Sequence, residues 1–434
     1  MTALKSILLL GVAYISTSFQ VNNNVSIVLD KPAAATEEVE IVSPKFYHKD
    51  TLSLVAGKNY HIDFFQNYTA IKVTEVVNNQ AAIHFISAND SLYFGTLISY
   101  DDIDIPPGFA VFSKPTNQIV LTSNRTTDLI IELFYAPPIA LNYTAFKQKK
   151  TDCERPISIP QSQWRNGLPN PMPGRVAVVV KHCIVHHSAG SNTDTNYINT
   201  IRNIYLYHTQ SNGWDDIGYN FVIAPNGVVF DGRDPLGVAE QDNIQGAHFC
   251  AKNGETMGVC LLGNYDLVSP KTEMLEALEQ LLVWKLHKEN LSALANFPHP
   301  DANSPPLGTI AMHQNGCATA CPGDSVRYIF DDIKEEIEGK LKLCKGVTSV
   351  ESTPIKFKQM VYPNPSNGKF YALIEKEANI KRFKIISLEG KTLADEPYLN
   401  TGYINTDLPS GTYLLELWTS ERKVSNHRII IQKR

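Results

Sequence analysis

Three side chains that bind metal ions lie in separated parts of the chain, and their convergence limits the fold more than any other feature. His186 lies in IVHHSAG, whereas His313 and Cys321 lie eight residues apart in AMHQNGCATACPG. Two imidazoles and one thiolate suit zinc, a borderline-soft ion, and three protein ligands leave the fourth tetrahedral position to a water molecule. The chain must therefore bring distant segments together around one centre suited to hydrolysis.

The residues alone leave two questions about this centre open. Neighbouring side chains of a strand point to opposite faces, so only one of His186 and His187 can easily enter the site. An irregular loop through Gly316 would bring Cys321 to the metal, just before a helix whose positive end favours a thiolate. Alternatively, Cys321 forms a disulfide with Cys317 or another cysteine, and the metal then loses a ligand.

The order of three motifs, HH(S/T), then GWxDIGYxF, then H followed eight residues later by CPG, resembles the peptidoglycan recognition protein and phage-lysozyme-type amidase family. The resemblance runs from about Ile157 to Cys344. Intermediate segments also match, namely QSQW from Gln161, GAH from Gly246 and GVCLLGNY from Gly258. The resemblance implies a zinc N-acetylmuramoyl-L-alanine amidase, which cleaves the amide between N-acetylmuramic acid and L-alanine.

The resemblance also implies which residues hold and assist the metal. The ligands would be His186, His313 and Cys321, with His187 behind them or in the core. The hydroxyl of Tyr219, in GWDDIGYNF, would point at the substrate carbonyl or the zinc-bound water. A phenol there can donate a hydrogen bond to the developing oxyanion without changing the charge of the site.

Further residues are assigned to the site by the same resemblance. Thr319 occupies a position that is lysine in phage-type members and threonine in many recognition-protein amidases, so we expect it to position the site, and the proton donor stays unassigned. His248 in GAHF and His208 are expected in the substrate cleft. Gly213-Trp214 matches the pair associated with meso-diaminopimelate stem peptides, and Arg233 is the candidate partner for their extra carboxylate. For His208 and Arg233, ordinary surface positions are equally good interpretations.

The length and charge of the chain indicate how many domains it forms and which partners are not expected. A chain of 434 residues is expected to form two or three domains. A net charge of -5 and a pI near 6.2 provide no basic surface, so nucleic acid is not an expected partner.

The first residues predict export. MTALKSILLLGVAYISTS has one lysine, an apolar run from Ile7 to Ile15 and then small residues. The run is too short to span a bilayer, so residues 1–18 are typical of a secretory signal peptide, and no later segment is long enough for a transmembrane helix. Export permits disulfides. The chain has seven cysteines, and if Cys321 binds zinc, the other six can form up to three disulfides.

The predicted fold is multidomain. Residues 20–145 show the alternation typical of strands, as in NYHIDFF, and predict an all-β sandwich of unknown role. Residues 150–345 alternate strands and helices and predict an α/β amidase domain with a mixed sheet flanked by helices. Within it, the valine-rich run Val176–Val185 predicts a buried strand, and Asp194 is the candidate N-cap of a helix through His208.

A linker, residues 346–360, is predicted to precede a different module. Residues 361–434 contain VYPNPSNGKF and LPSGTYLLEL, and resemble the type IX secretion C-terminal sorting domain of the Bacteroidetes, an Ig-like β-sandwich. The type IX secretion machinery is therefore an expected partner, and the protein is expected outside the cell or on its surface.

Together these features predict a secreted zinc amidase acting on peptidoglycan or muropeptides, with diaminopimelate-type stems. One alternative is a non-hydrolytic peptidoglycan receptor that kept the cleft. The other is a surface adhesin whose N-terminal domain carries the function.

Overall fold

The computed structural model of the protein describes residues 24–29, 45–76, 81–87, 90–94, 108–141, 153–266, 268–301, 306–345, 360–362, 364, 366–373, 380–388, 390–398, 403–418 and 423–433. The predicted signal peptide, residues 1–18, and the predicted linker, apart from residue 360, lie outside the described residues.

The N-terminal part of the chain forms one hydrogen-bonded sheet of seven strands. In chain order these are β1 (Asn24–Leu29), β2 (Tyr47–Leu54), β3 (Asn59–Glu75), β4 (Ile83–Ile86), β5 (Ser91–Phe94), β6 (Phe109–Ser123) and β7 (Thr127–Phe134). Their spatial order is β2-β7-β3-β6-β4-β5, with β1 parallel to β3. As predicted, Tyr60, Ile62 and Phe64 are buried and the residues between them are exposed. This part is β-rich, whereas a sandwich spanning residues 20–145 stays a prediction.

The central part alternates strands and helices. In chain order these are β8 (Ser158–Ile159), α1 (Gln161–Trp164), β9 (His182–His187), α2 (Tyr197–Leu206), β10 (Phe221–Ile223), β11 (Val229–Asp231), β12 (Thr256–Leu261), α3 (Thr272–Lys288), β13 (Asn296–Phe297), β14 (Leu307–Gly308), β15 (Ile310–Met312) and α4 (Asp324–Cys344). A π-helical turn, Tyr207–Ser211, continues α2, and short 3-10 turns occur at Gln241–Asn243 and His313–Asn315.

The central sheet is mixed, in the order β15-β9-β12-β10-β11-β8. Neighbouring strands are parallel except β10 and β11, which form a hairpin around Gly227 at φ +80°. Adjacent side chains of β10 point to opposite faces. Phe221 and Ile223 pack with α3 and α4, while Val222 packs with α2. Helices therefore cover both faces, which confirms the α/β prediction for the central part.

The helical periodicity predicted the core faces of α3 and α4 correctly. All the predicted core residues are buried, namely Leu275, Leu278, Leu282, Ile329, Phe330, Ile333, Ile337 and Leu341. An apolar stripe at this spacing lies on one side of a helix and stabilises it by packing on the sheet.

Two local predictions were wrong. The strand predicted from Val176 begins only at His182, and Val176 and Val179 are 53% and 67% exposed. The reason is pairing: Ala177 bridges Ile244 in a loop, so this stretch lies outside the sheet. Val176 and Val179 are left exposed, whereas Val180 packs into the core.

The N-cap of α2 is Asn196, not Asp194. The side chain of Asn196 accepts a hydrogen bond from the backbone N–H of Asn199. Asp194 instead accepts from the backbone N–H of Asn196 at 2.8 Å, so it supports the cap residue from two positions earlier.

The C-terminal part contains two sheets. Its strands are β16 (Met360–Tyr362), β17 (Lys369–Leu373), β18 (Arg382–Ser387), β19 (Thr392–Pro397), β20 (Tyr403–Asn405), β21 (Gly411–Trp418) and β22 (Lys423–Ile431). The sheets β16-β17-β20 and β19-β18-β21-β22 share one apolar cluster that includes Phe370, Ile404, Ile385 and Leu415. The Ig-like topology and the limits 361–434 stay predictions.

Two disulfides connect parts of the central domain, Cys153 to Cys344 and Cys250 to Cys317. Cys183, Cys260 and Cys321 are buried thiols. The alternative in which Cys317 pairs with Cys321 is thereby excluded. Among the helices of the described residues, none combines the length and apolarity that crossing a membrane requires.

Candidate metal centre

The central sheet brings His186, His313 and Cys321 together. β9 ends with the histidine pair, and β15 runs parallel to β9 with Met312 opposite Val185, so His186 and His313 emerge at the same sheet edge. Their ring centroids are 4.3 Å apart. One donor atom of each of the three residues lies within 4.8 Å of the others, and all three residues are buried. The structure therefore produces the convergence that the motifs require.

These residues fit a zinc ion by chemistry and by spacing. Sγ of Cys321 lies 3.9 Å from Nδ1 of His186. Zinc bonds of about 2.3 Å to sulfur and about 2.0 Å to nitrogen at a tetrahedral angle place the two donors roughly 3.5 Å apart. Burial lowers the pKa of His186 to about 3, so its ring is neutral near pH 7 and offers a lone pair.

Cys321 is held in an irregular loop, as predicted. The backbone N–H of His187 donates to its Sγ at 3.3 Å, which favours negative charge on the sulfur. The hydroxyl of Thr319 accepts from the backbone N–H of Cys321 at 3.1 Å, and the N–H of Gln314 donates to the Cys321 carbonyl at 3.0 Å. These bonds agree with the predicted positioning role of Thr319, which stays a prediction.

His187 lies behind the centre. Its Nδ1 accepts a hydrogen bond from the backbone N–H of Tyr265 at 3.1 Å. Burial, together with the neighbouring His186, lowers the pKa of His187 to about 4. His187 therefore joins the loop after β12 to Cys321, through its ring on one side and its backbone N–H on the other.

His248 contacts His186 directly. Nδ1 of His248 lies 3.0 Å from Nε2 of His186, and its Nε2 lies 3.3 Å from the hydroxyl of Thr256. That hydroxyl donates to the carbonyl of Asn253, so it accepts from Nε2–H of His248. Nδ1 of His248 then accepts from Nε2–H of His186, which leaves Nδ1 of His186 as the lone pair beside Cys321. A direct contact of His248 with a substrate stays a prediction.

Two motif glycines make room for the His248 ring. A Cβ on Gly258 would lie 2.5 Å from Cδ2 of His248, and one on Gly246 would meet the same ring from another side. A methyl group at either position would push the imidazole away from His186. The glycines of GAH and GVCLLGNY are thus required by a side chain that contacts His186.

Tyr219 lies beside the histidines, just before β10. It is fully buried, and its ring centroid is 5.4 Å from His186 and 5.7 Å from His208. The ring of His208 lies 4.7 Å from Trp214 and accepts a hydrogen bond at Nδ1 from Gly218. Tyr219, His208 and Trp214 therefore form one continuous wall next to the donor set.

Arg233 lies against an acidic pair that the sequence analysis missed. Its Nη2 forms an ion pair with Asp215, which also pairs with Arg175 at 2.5 Å, and Arg175 pairs with the buried Asp216 at 2.5 Å. Arg233 is 4% exposed, and its Nε and Nη1 have no hydrogen-bond partner among the described residues. Gly213, two positions before Asp215, is exposed at φ +68°. The repeated aspartates in GWDDIGY were the signal for this cluster.

The disulfide from Cys250 to Cys317 joins the segment after His248 to the loop after His313. In the sequence, only the number of cysteines indicated that such a disulfide could form.

Comparisons with known proteins match two regions of the chain. A family model described as N-acetylmuramoyl-L-alanine amidase matches residues 176–324, and one described as a secretion system C-terminal sorting domain matches residues 360–432. Peptidoglycan-recognition protein SC1a of Drosophila melanogaster is 32% identical over 176 residues, which are 40% of this chain and 78% of that protein.

Solved structures also match part of the chain. Wild-type PGRP-LB of Drosophila is 24% identical, with a TM-score of 0.31 and coverage of 39% of this chain and 91% of that one. The endolysin N-acetylmuramoyl-L-alanine amidase LysCS from Clostridium intestinale URNW is 19% identical, with a TM-score of 0.31 and coverage of 43% and 97%.

Proposed function

Because the chain belongs to the peptidoglycan recognition protein family, we propose that it is a secreted zinc-dependent N-acetylmuramoyl-L-alanine amidase. The substrate is peptidoglycan or its muropeptide fragments, and the scissile bond is the amide between the lactyl group of N-acetylmuramic acid and L-alanine. The C-terminal sorting domain indicates export through type IX secretion.

The complete donor set is the observation that carries this proposal. A receptor that only binds peptidoglycan has no use for one cysteine sulfur and two imidazoles whose donor atoms lie within 4.8 Å of one another. Cys321 is the decisive member, since the resemblance implies that receptors usually lose this cysteine. Its proximity to His186 favours hydrolysis over recognition alone.

Each residue has a distinct task in the proposed reaction. When bound, zinc would supply a Lewis acid for the carbonyl and an activated water at neutral pH. His186, His313 and Cys321 would hold it, and His248 fixes the tautomer and the orientation of His186. The Tyr219 hydroxyl would donate to the oxygen on which negative charge develops.

Arg233 supports a diaminopimelate-type stem peptide. Its buried Nε and Nη1 are donors that a carboxylate can accept from, and buried donors without partners are costly. Asp215 holds the guanidinium from the other side. Gly213 and Trp214 directly precede Asp215 in the chain. A third stem residue with an extra carboxylate would therefore lie between this glycine–tryptophan pair and Arg233.

The reaction predicts a defined product. Digestion of diaminopimelate-type peptidoglycan by zinc-loaded protein should release stem peptides with a new L-alanine amino terminus, whereas lysine-type peptidoglycan should be cut more slowly. Glycan strands should stay intact, because a glycosidase needs a carboxylate pair and would create reducing ends. End-group analysis of the digest measures both products.

Protein stripped of metal by a chelator and then reloaded with zinc is the control for this digest. Reducing ends without new alanine termini would contradict the amidase proposal. Binding without any cleavage by zinc-loaded protein would favour the receptor alternative.

Export provides an independent prediction. Removing residues 361–434 should leave the protein within the cell envelope, since this segment matches a sorting domain. The purified truncated protein should remain active, because the apolar cluster of the C-terminal sheets contains no residue of the central domain. Immunoblots of medium and envelope fractions measure the first effect, and normal release of the truncated protein would refute the sorting role.

A further inference from the structure

We propose that the N-terminal sheet, β1 to β7, is an intramolecular clamp on the π-helical turn Tyr207–Ser211, and that it thereby positions Gly213 and Trp214 in the substrate cleft. The sheet would then select the stem peptide through this turn. This catalytic consequence rests on the proposed amidase function, whereas the clamp itself does not.

The sheet and α2 share one apolar core. Ala70, Phe134 and Ala136 from the N-terminal part belong to the same buried cluster as Ile201 and Ile204 of α2. Such a continuous apolar contact stabilises a fixed arrangement, in contrast to domains joined only by a linker.

Tyr207 is the centre of this contact. Its ring centroid lies 5.3 Å from Phe109 of β6 and 6.4 Å from Phe134 of β7. Nζ of Lys72, on β3, lies 5.1 Å from the same ring. Three strands of the sheet therefore hold the first residue of the turn.

Polar contacts hold the turn at its other end and along α2. Nζ of Lys72 donates to the hydroxyl of Ser211 at 3.0 Å and pairs with the buried Glu132 at 2.7 Å. On α2, Oδ1 of Asn203 accepts from the hydroxyl of Thr69 at 2.7 Å. Thr69, Asn203 and Glu132 are buried, and Lys72 and Ser211 are partly buried, so water replaces the lost bonds only in part.

Arg202 joins the segment that follows β7 to the same region. Its guanidinium is 1% exposed and donates to the carbonyl of Pro137 at 2.7 Å, as well as to the carbonyls of Trp164 and Asn166. The clamp therefore includes the chain segment that leaves the sheet.

The turn connects the sheet to the cleft through neighbouring residues. Tyr207 faces the sheet, whereas the ring of His208 faces Trp214 and Tyr219. The carbonyl of His208 accepts from the backbone N–H of Trp214 at 2.9 Å. A displacement of Tyr207 therefore moves both the ring and the carbonyl that position Trp214.

The π geometry makes the turn depend on these contacts. The N–H of Asn212 donates to the carbonyl of Tyr207, five residues earlier. π-helices are rare and occur mostly as single turns at functional sites, so tertiary contacts must maintain this one. Relaxation to an α-helix by one residue would rotate the following chain by about 100° about the helix axis, and Gly213 and Trp214 would leave their present positions.

Two substitutions in the full chain test the clamp without removing the sheet. Ser211→Ala loses the bond from Lys72 but keeps the Lys72–Glu132 pair, and Tyr207→Leu loses the ring contacts. Amides in residues 208–214 should exchange with deuterium about tenfold faster in each variant, because the lost contacts stabilise the closed turn. Ser211→Ala removes no apolar contact, so it tests the clamp even if Tyr207→Leu folds poorly.

Ser53→Ala is the matched control. The hydroxyl of Ser53 on β2 likewise bonds a charged side chain, here by donating to Asp128 at 2.5 Å, but in an exposed part of the sheet. This variant should leave exchange in residues 208–214 unchanged.

Kinetics test the consequence for the substrate. For a muropeptide with three stem residues, KM should rise by about tenfold in Ser211→Ala with kcat nearly unchanged, whereas a muropeptide with two stem residues should show no such rise. Unchanged exchange in both variants would overturn the clamp, and faster exchange with equal effects on both muropeptides would overturn its role in selection. Faster exchange in a protein without amidase activity would support the clamp and refute the proposed function instead.

Discussion

Cys321→Ser should lose zinc. Cys321 is proposed to bind zinc as a thiolate, with its Sγ 3.9 Å from Nδ1 of His186, and a serine hydroxyl is a harder, weaker ligand that stays protonated at neutral pH. Loss of a residue that only supports a metal ligand lowers metal affinity by up to about 100-fold. Loss of a ligand itself should therefore lower the zinc affinity by more than about 100-fold. Competition with a chromogenic chelator and metal analysis of the dialysed protein measure this loss, and hydrolysis should fall with it.

Cys183→Ser is the control for loss of a buried thiol. Cys183 is fully buried on β9, the same strand as His186, and belongs to the core cluster beneath α3 and α4. The substitution should lower the melting temperature, because it buries a hydroxyl in an apolar core, yet leave one zinc per chain. Full zinc occupancy in Cys321→Ser would show that another residue is the ligand.

Tyr219→Phe should keep zinc and lose activity. Phenylalanine keeps the ring that packs 5.4 Å from His186 and removes only the hydroxyl proposed to donate to the oxyanion. Removal of one such donor lowers kcat by about 100-fold or more. Steady-state kinetics on a soluble muropeptide, with zinc content measured on the same samples, would detect the change in kcat.

Tyr205→Phe is the matched control for this hydroxyl. Tyr205 is also fully buried in the central domain, and its hydroxyl donates to the carbonyl of Pro169 at 2.8 Å. This variant should lose some stability and keep its kcat. A Tyr219→Phe protein with a normal kcat and a raised KM would show that the hydroxyl binds the substrate without assisting the reaction.

The elements that were predictable from sequence are those with a local signal. Leu278 in α3 and Ile333 in α4 recur with the period of a helix, and the buried face follows from that period. The alternation of Tyr60, Ile62 and Phe64 predicted β3 in the same way. The valine-rich run before His182 was misleading, because alternation and apolarity do not reveal which segment pairs with a strand, and Ala177 pairs with a loop.

The residues proposed for the metal centre could be named from the sequence, because their types and spacing resemble a family with that chemistry. Their surroundings could not. The bond from His186 to His248, the pairing of Arg233 with Asp215 and the disulfide from Cys250 to Cys317 join residues far apart in the chain. No local pattern records such partners, since they depend on which loops the folded sheet brings to one edge.

The sequence by itself determined which groups are available for the proposed chemistry, namely the imidazoles, the thiol and the phenol of its motifs, and it determined which segments form the helices α3 and α4. Only the tertiary structure decided how that chemistry is held. The packing of the N-terminal sheet on Tyr207, and through it the position of Trp214, follows from complementary surfaces that exist only once both parts have folded.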